Sequence, residues 1–175
     1  MEEASSDQAL VAALTQELGK KTGVCWLRYD GADHAAWHVW LDALYVVSGG
    51  DEQHLPGIEH AETVEVVMRS KENGGRLLTW VGRACVVRPD DGLWEPATEA
   101  LVAGRLNLTD PGAAPAEWAD RSVLTRITPT GRPTEAPGSL STDAHLAVPK
   151  VTPATTRGPL PKVLHRRAGR GPRLS

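Results

Sequence analysis

The sequence predicts a mainly β domain: a small antiparallel barrel of six strands, with one helix before it, one helix inserted, and a disordered C-terminal tail. Several short segments rich in Val, Trp and Thr alternate apolar with polar residues, as half-buried strands do. Asn73-Gly74 stands between two such segments and is a strong hairpin signal. From Gly131 onward the chain holds seven of its 13 prolines, lacks Trp and Tyr, and shows no apolar period.

The N-terminal helix is predicted from its capping residue and its apolar spacing. Ser5 or Ser6 can cap a helix that ends at Gly19. Its apolar positions fall at helical spacing: Leu10, Ala13, Leu14 and Leu18. We expect a short amphipathic helix that packs on the barrel.

The six strands follow from alternation and from the turns between them. In the second strand, Trp37 and Val39 share one face, and His38 and Trp40 share the other. The fifth strand is too long to stay straight, so a bulge or bend is expected at Gly82. An inserted helix is predicted over 94–106. The predicted strands cover residues 22–30, 35–42, 43–48, 61–71, 76–89 and 121–130.

The distribution of charge divides the chain into a barrel domain, residues 1–130, and a basic tail, residues 131–175. Of the 19 Lys and Arg residues, seven follow Asp143, and no Asp or Glu does. Such an arm can contact nucleic acid or an acidic partner, or it can serve only for solubility. The acidic N-terminus and the lack of a long apolar run predict a cytoplasmic protein without membrane contact.

No familiar catalytic signature occurs in the sequence. The phosphate-binding loop, the Rossmann glycine motif, the zincin motif and the hydrolase elbow are all missing, and no catalytic residue is identified. Cys25 and Cys85 lie in apolar runs, which predicts buried structural thiols. The histidines between residues 34 and 60 share no common face, so we predict no metal site.

Two sets of residues are candidates for ligand binding. Trp40 and Trp80 can pack against a planar ring, although tryptophans on alternating strands also form ordinary core. Arg69, Ser70 and Lys71 end one strand of the predicted hairpin, where they can bind an anionic group. Lys and Arg also commonly lie at strand ends where they contact only water, so the same pattern is expected without a bound anion.

The order of these elements resembles the pyridoxamine 5'-phosphate oxidase-like split β-barrel family, including its actinobacterial flavin and deazaflavin oxidoreductase branch. The resemblance covers roughly residues 7–130 and is carried by "TGVCWLRYDG", "LYVVSGG", "AETVEVVMRSKENGGRLLTWVGRACVV" and "SVLTRITPTG". It implies a six-stranded split barrel, a homodimer, and a cofactor, FMN or F420, in a cleft between two barrels.

The resemblance also assigns a role to the loop "GGDEQHLPG", Gly49 to Gly57. In such proteins the loop after the third strand carries a basic residue that holds the cofactor phosphate. Here Gln53 and His54 occupy the matching place. Ser48, Gln53 and the amides of Gly49 and Gly50 are therefore the expected ligand contacts. The cations at the hairpin, Arg69 and Lys71, would complete the binding of the ligand's anionic group.

Three functions follow as alternatives. The first is a flavin- or deazaflavin-dependent oxidoreductase, in which the cofactor supplies the chemistry. The second is a cofactor-free barrel that binds a small-molecule ligand or a protein partner through its tryptophan-lined cleft. The third is the tethering of nucleic acid or a complex through the basic tail.

Overall fold

A curled, seven-stranded antiparallel sheet lies at the centre of the structure, a computed structural model. The structure describes residues 2–70, 74–105, 107–131, 133–136 and 138–140. The chain divides into two units, Met1–Ser141 and Thr142–Ser175. The second unit, with most of the predicted basic tail, lies outside the described residues.

Three helices and one short 3-10 turn accompany the seven strands. The helices are α1 (Glu2–Lys21), α2 (Trp94–Gly104) and α3 (Ala114–Arg121), and the 3-10 turn is Ile58–His60. The strands are β1 (Val24–Tyr29), β2 (Ala32–Trp37), β3 (Val39–Trp40), β4 (Leu44–Ser48), β5 (Thr63–Arg69), β6 (Arg76–Val87) and β7 (Val123–Pro129).

The spatial order of the strands is β2-β1-β5-β6-β7-β4-β3, with antiparallel neighbours throughout. β1 and β2 form a hairpin whose turn, Asp30-Gly31, has positive φ at both residues, as a type I′ turn requires. β2 and β3 lie at opposite ends of the sheet, where β2 pairs with β1 and β3 pairs with β4. His38 separates them, and its N–H donates to Gly23 O at 3.3 Å. The predicted strand 35–42 therefore forms parts of two strands, so the sheet has seven strands instead of six.

The sheet packs on both faces. On the concave face, side chains of β1, β4, β5, β6 and β7 form one core, closed by Leu14 and Leu18 of α1. On the opposite face, Tyr45, Val47 and Leu124 form a second core with α2 and α3. This two-sided burial explains why every residue of β4 is buried.

The inserted region holds two helices where the sequence predicted one. α2 agrees with the predicted helix over 94–106, whereas α3 was not predicted. α3 has eight residues and begins at Ala114 with Pro115 in its first turn. Its burial rests on Ala114 and Trp118, which is too few apolar positions to define a helical period in the sequence.

The chain stays in contact with the sheet beyond residue 130, where the predicted barrel domain ended. Thr134 N–H donates to Thr79 O at 2.8 Å, and Thr79 N–H donates to Glu135 O at 2.9 Å. The Glu135 carboxylate accepts bonds from Arg76 at 2.9 and 3.0 Å. This segment covers the edge of β6 that β7 leaves unpaired.

None of the helices in the described part of the chain has both the length and the apolar character needed to cross a bilayer.

Candidate functional site

The loop after β4 is held in a compact turn. Gly49 and Gly50 have φ of 93° and 60°, which favours glycine at both positions. Gly49 N–H donates to Gln53 O, and Glu52 N–H donates to Gly49 O, both at 3.1 Å. Ser48 Oγ accepts a bond from Leu55 N–H at 2.9 Å. Ser48 and Gly49, two of the predicted ligand contacts, thus already bond within the loop.

Gln53 joins the loop to two strands of the sheet. Its Oε1 accepts from Trp37 N–H at 2.8 Å, and its Nε2 donates to Trp37 O at 2.9 Å and to Val47 O at 3.1 Å. Both amide hydrogens and one oxygen lone pair are therefore engaged. A ligand that bonded to Nε2 of Gln53 would have to displace backbone partners.

The two acids of the loop face cations that follow α2 and end α3. Arg105 lies 3.0 Å from Glu52 Oε2, and Trp118 Nε1 donates to Glu52 Oε1 at 3.1 Å. Arg121 lies 3.8 Å from Asp51. The Glu52 side chain is only 6% exposed, so this pairing compensates a largely buried charge.

Arg105 also lies over an aromatic ring. Its guanidinium carbon is 4.9 Å from the centroid of Trp37. The sequence does not indicate Arg105, Trp118 or Arg121 as site residues, because they lie near the loop only through the packing of α2 and α3. No motif or spacing in the sequence connects Glu52 with residues more than 50 positions away.

At the end of β5, two of the three predicted hairpin residues are described. Arg69 is exposed, and its guanidinium lies 5.5 Å from the Trp26 ring centroid. Ser70 begins the turn, since its N–H donates to Gly75 O at 2.8 Å. Lys71 lies outside the described residues. Arg76, on the returning strand, is paired with Glu135.

Trp40 and Trp80 contact each other edge to face, with centroids 6.2 Å apart and planes at 84°. Trp80 is 1% exposed and belongs to the concave core. Trp40 is half-buried, and α1 packs on it so closely that a Cβ at Gly19 would lie 2.2 Å from its ring. The structure brings the two rings together, and only Trp40 retains an accessible surface.

A cleft of about 370 Å³ opens beside Trp40. α1 contributes Thr15 and Gln16, and the β3–β4 corner contributes Leu41 and Asp42. Leu41 is 39% exposed. The cleft therefore combines an indole, an exposed apolar side chain and a carboxylate.

Asp42 is fixed by two donors. Tyr45 Oη donates to Oδ1 at 2.9 Å, and Arg126 donates to Oδ2. Burial raises the pKa of Asp42, but the hydrogen bonds from Arg126 and Tyr45 outweigh it and hold the pKa below its usual value. Asp42 is therefore ionised at neutral pH, and its charge is compensated by the guanidinium of Arg126.

The two cysteines differ in exposure. Cys25 is buried, and burial raises the pKa of its thiol, so it is inert as a nucleophile. Cys85 is exposed, so the prediction that both thiols are buried is wrong for Cys85. The outward side of β6 remains uncovered at that point, which the apolar composition of the strand did not indicate.

No group of three or more potential metal-ligating side chains gathers in the described residues.

The loop does not fit the phosphate of FMN. Its glutamine amide donates both hydrogens to backbone carbonyls, and its nearest cations already pair with Glu52 and Asp51. A phosphate placed there would meet both carboxylates. Arg69 differs, because it is exposed and forms no ion pair with any acid in the described residues.

No protein-family model matches the sequence, and no curated protein matches it. Solved structures do. HutZ, the heme storage protein from Vibrio cholerae, matches with 17% identity and a TM-score of 0.50 over 70% of this chain and 92% of its own.

Two further solved structures have lower TM-scores. An F420 reductase is 22% identical, with a TM-score of 0.42 over 66% of this chain and 93% of its own. A Clostridium acetobutylicum protein related to general stress protein 26, of the pyridoxinephosphate oxidase family, is 11% identical, with a TM-score of 0.43 over 69% of this chain and 84% of its own. The structural neighbours of this chain are split-barrel proteins like pyridoxamine 5'-phosphate oxidase, and the chain has their fold.

Proposed function

We propose that the protein is an oxidoreductase that binds FMN or the deazaflavin F420 as a homodimer, with the anionic part of the cofactor at Arg69 and Ser70. The observation that carries the proposal is the exposed Arg69 guanidinium over the Trp26 indole. Trp26 is 36% exposed, so a cation and an aromatic surface lie side by side at the end of β5.

The contact with Trp26 orients Arg69 before a ligand arrives. An arginine held on an aromatic ring loses less freedom when it pairs with a phosphate or carboxylate. Arg69 would bind the anionic group, and Ser70 and Lys71 would complete this binding point. When bound, a flavin or deazaflavin supplies hydride transfer.

Trp40 has a separate role in the proposal. Its accessible surface in the 370 Å³ cleft is suited to packing against a planar ring, whereas buried Trp80 supports it from behind. Asp42 in the same cleft is already paired with Arg126, and no Lys or Arg is among the described residues that line it, so the cleft offers no cation to a phosphate. The cleft therefore suits the uncharged part of a ligand.

The test is a titration of the full-length protein with FMN and with F420, comparing Arg69→Ala with the control Arg83→Ala. Arg83 is exposed on β6, so its replacement removes the same charge from another place. We expect Arg69→Ala to weaken binding about tenfold or more, since hydrogen bonds to charged groups contribute about 1.5–3 kcal/mol. Arg83→Ala should bind normally, and both variants should keep the wild-type melting temperature within about 2 °C. A large loss of stability in Arg69→Ala with unchanged affinity would contradict the proposal.

A second candidate function is a cofactor-free module that binds a small molecule or a protein partner. The closed loop favours it, because the polar atoms of Ser48, Gln53 and Glu52 bond within the protein. The same titration separates the two candidates. A cofactor-free module would bind neither FMN nor F420.

A further inference from the structure

A cleft of about 640 Å³ lies beside α2, on the helical side of the sheet. Trp94 and Val102 of α2 provide apolar surface, and both also pack against the second core. Pro89, Pro111 and Pro115 add further apolar surface to the wall. The proposed cofactor site does not use this cleft.

The cleft offers few hydrogen-bond donors from its own backbone. Proline has no N–H, so its three proline positions cannot extend a sheet onto a bound strand. Thr98 Oγ1 donates to Trp94 O at 2.9 Å, which occupies its hydroxyl hydrogen within α2. A ligand would therefore be recognised by packing and charge, and not by a series of backbone hydrogen bonds like those between two strands.

The wall is acidic. Glu95 and Glu99 are exposed, lie one helical turn apart, and form no ion pair with any cation in the described residues. Between residues 88 and 120 the sequence has seven acids and two cations. This charge repels nucleic acid and anionic lipid, and attracts a cationic peptide.

We propose that this cleft binds an extended, proline-rich, cationic segment of a partner protein. A polyproline II segment has no internal hydrogen bonds, and its prolines pack well in aromatic-lined grooves. Its three-residue period presents a Lys or Arg repeatedly on one side. Such a side chain would meet Glu95 and Glu99 while the prolines contact Trp94.

The test uses the full-length protein and a fluorescein-labelled peptide of repeating Pro-Pro-Arg, followed by fluorescence anisotropy. Glu95→Gln/Glu99→Gln removes the two charges without changing side-chain size, and Glu62→Gln, at an exposed acid beside β5, is the control. We expect the double variant to bind about twofold to thirtyfold more weakly, since it removes both exposed charges that would pair with the peptide. The control should bind like the wild type.

One further probe tests the chemistry of the ligand. A peptide of repeating Gly-Ser-Arg has the same charge without the polyproline conformation and should bind about fivefold more weakly. Equal binding of the two peptides, or an unchanged affinity in the double variant, would overturn the proposal.

Discussion

Gln53 shows how one side chain fixes the candidate site. It bonds to both backbone groups of Trp37 and to the carbonyl of Val47, so it joins the end of β2 to the end of β4. The resemblance in element order predicted that Gln53 lies where the split-barrel family binds a cofactor phosphate. The structure gives it these three internal bonds, and its role toward a ligand stays a prediction.

Replacing Gln53 with Leu should destabilise the protein by about 2–4 kcal/mol, because it leaves up to three backbone groups without partners. Chemical denaturation of the variant measures this loss. His54→Gln is the matched control, since exposed His54 should change stability by less than about 0.5 kcal/mol. Equal stability of Gln53→Leu and wild type would show that the loop is not anchored through this amide.

His38 should make folding sensitive to pH. It is 5% exposed, and its Nε2 lies 3.2 Å from Gly19 O. Burial lowers the pKa of His38, and the carbonyls of Gly19 and Ala36 oppose this only in part. In the unfolded chain the imidazole binds a proton near pH 6.5, whereas the folded imidazole binds it only at lower pH.

Stability should therefore be full above about pH 7 and fall as the pH drops through about 6.5, with a slope of at most about 1.4 kcal/mol per pH unit from this residue. Denaturation at a series of pH values measures the slope. His38→Gln should reduce it. The account of His38 is wrong if His38→Gln keeps the full wild-type slope.

At the scale of the elements, β6 depends on a close approach at Gly82. A Cβ there would lie 2.4 Å from Ile127 Cγ2 and 2.7 Å from Trp80 Cζ3. The sequence predicted a bulge or bend at this glycine. The register of β6 with both neighbouring strands runs through Gly82 without a shift, and the irregularity in the β5–β6 pairing lies between Met68 and Arg69. Glycine is needed at position 82 because Ile127 and Trp80 leave no room for a Cβ.

Gly82→Ala should destabilise the protein by about 1–3 kcal/mol through overpacking. Gly92→Ala is the control, because a Cβ at Gly92 meets nothing within 4 Å. Thermal unfolding of both variants makes the comparison. If the two alanine variants unfold at the same temperature, the close packing around Gly82 is not maintained in solution.

Alternation and turn residues predicted most of the strands, because both act over a few neighbouring residues. The ion pair between Arg28 and Glu65 illustrates the limit of such prediction. The two side chains meet only because β1 pairs with β5, which lies far along the chain. The division of 35–42 into β2 and β3 also depends on which strands pair. The period of the segment alone could not reveal that its two halves reach opposite ends of the sheet.

At the scale of the whole molecule, the predicted split barrel agrees with the fold, and the predicted site residues divide into two groups. Ser48, Gly49 and Gln53 bond within the loop, while Arg69 remains exposed beside Trp26. The sequence predicted both groups as ligand contacts, and that role stays a prediction. The sequence could not show that Gln53 bonds to the backbone of Trp37 and Val47, because this contact forms only when separate strands pack together.

Our proposal that a homodimer binds a flavin or deazaflavin is tested by gel filtration of the full-length protein after incubation with FMN or F420, with visible absorbance and mass recorded together. We expect the absorbance of one cofactor to elute with protein of dimeric mass. If both cofactors elute entirely apart from the protein, the proposal is wrong.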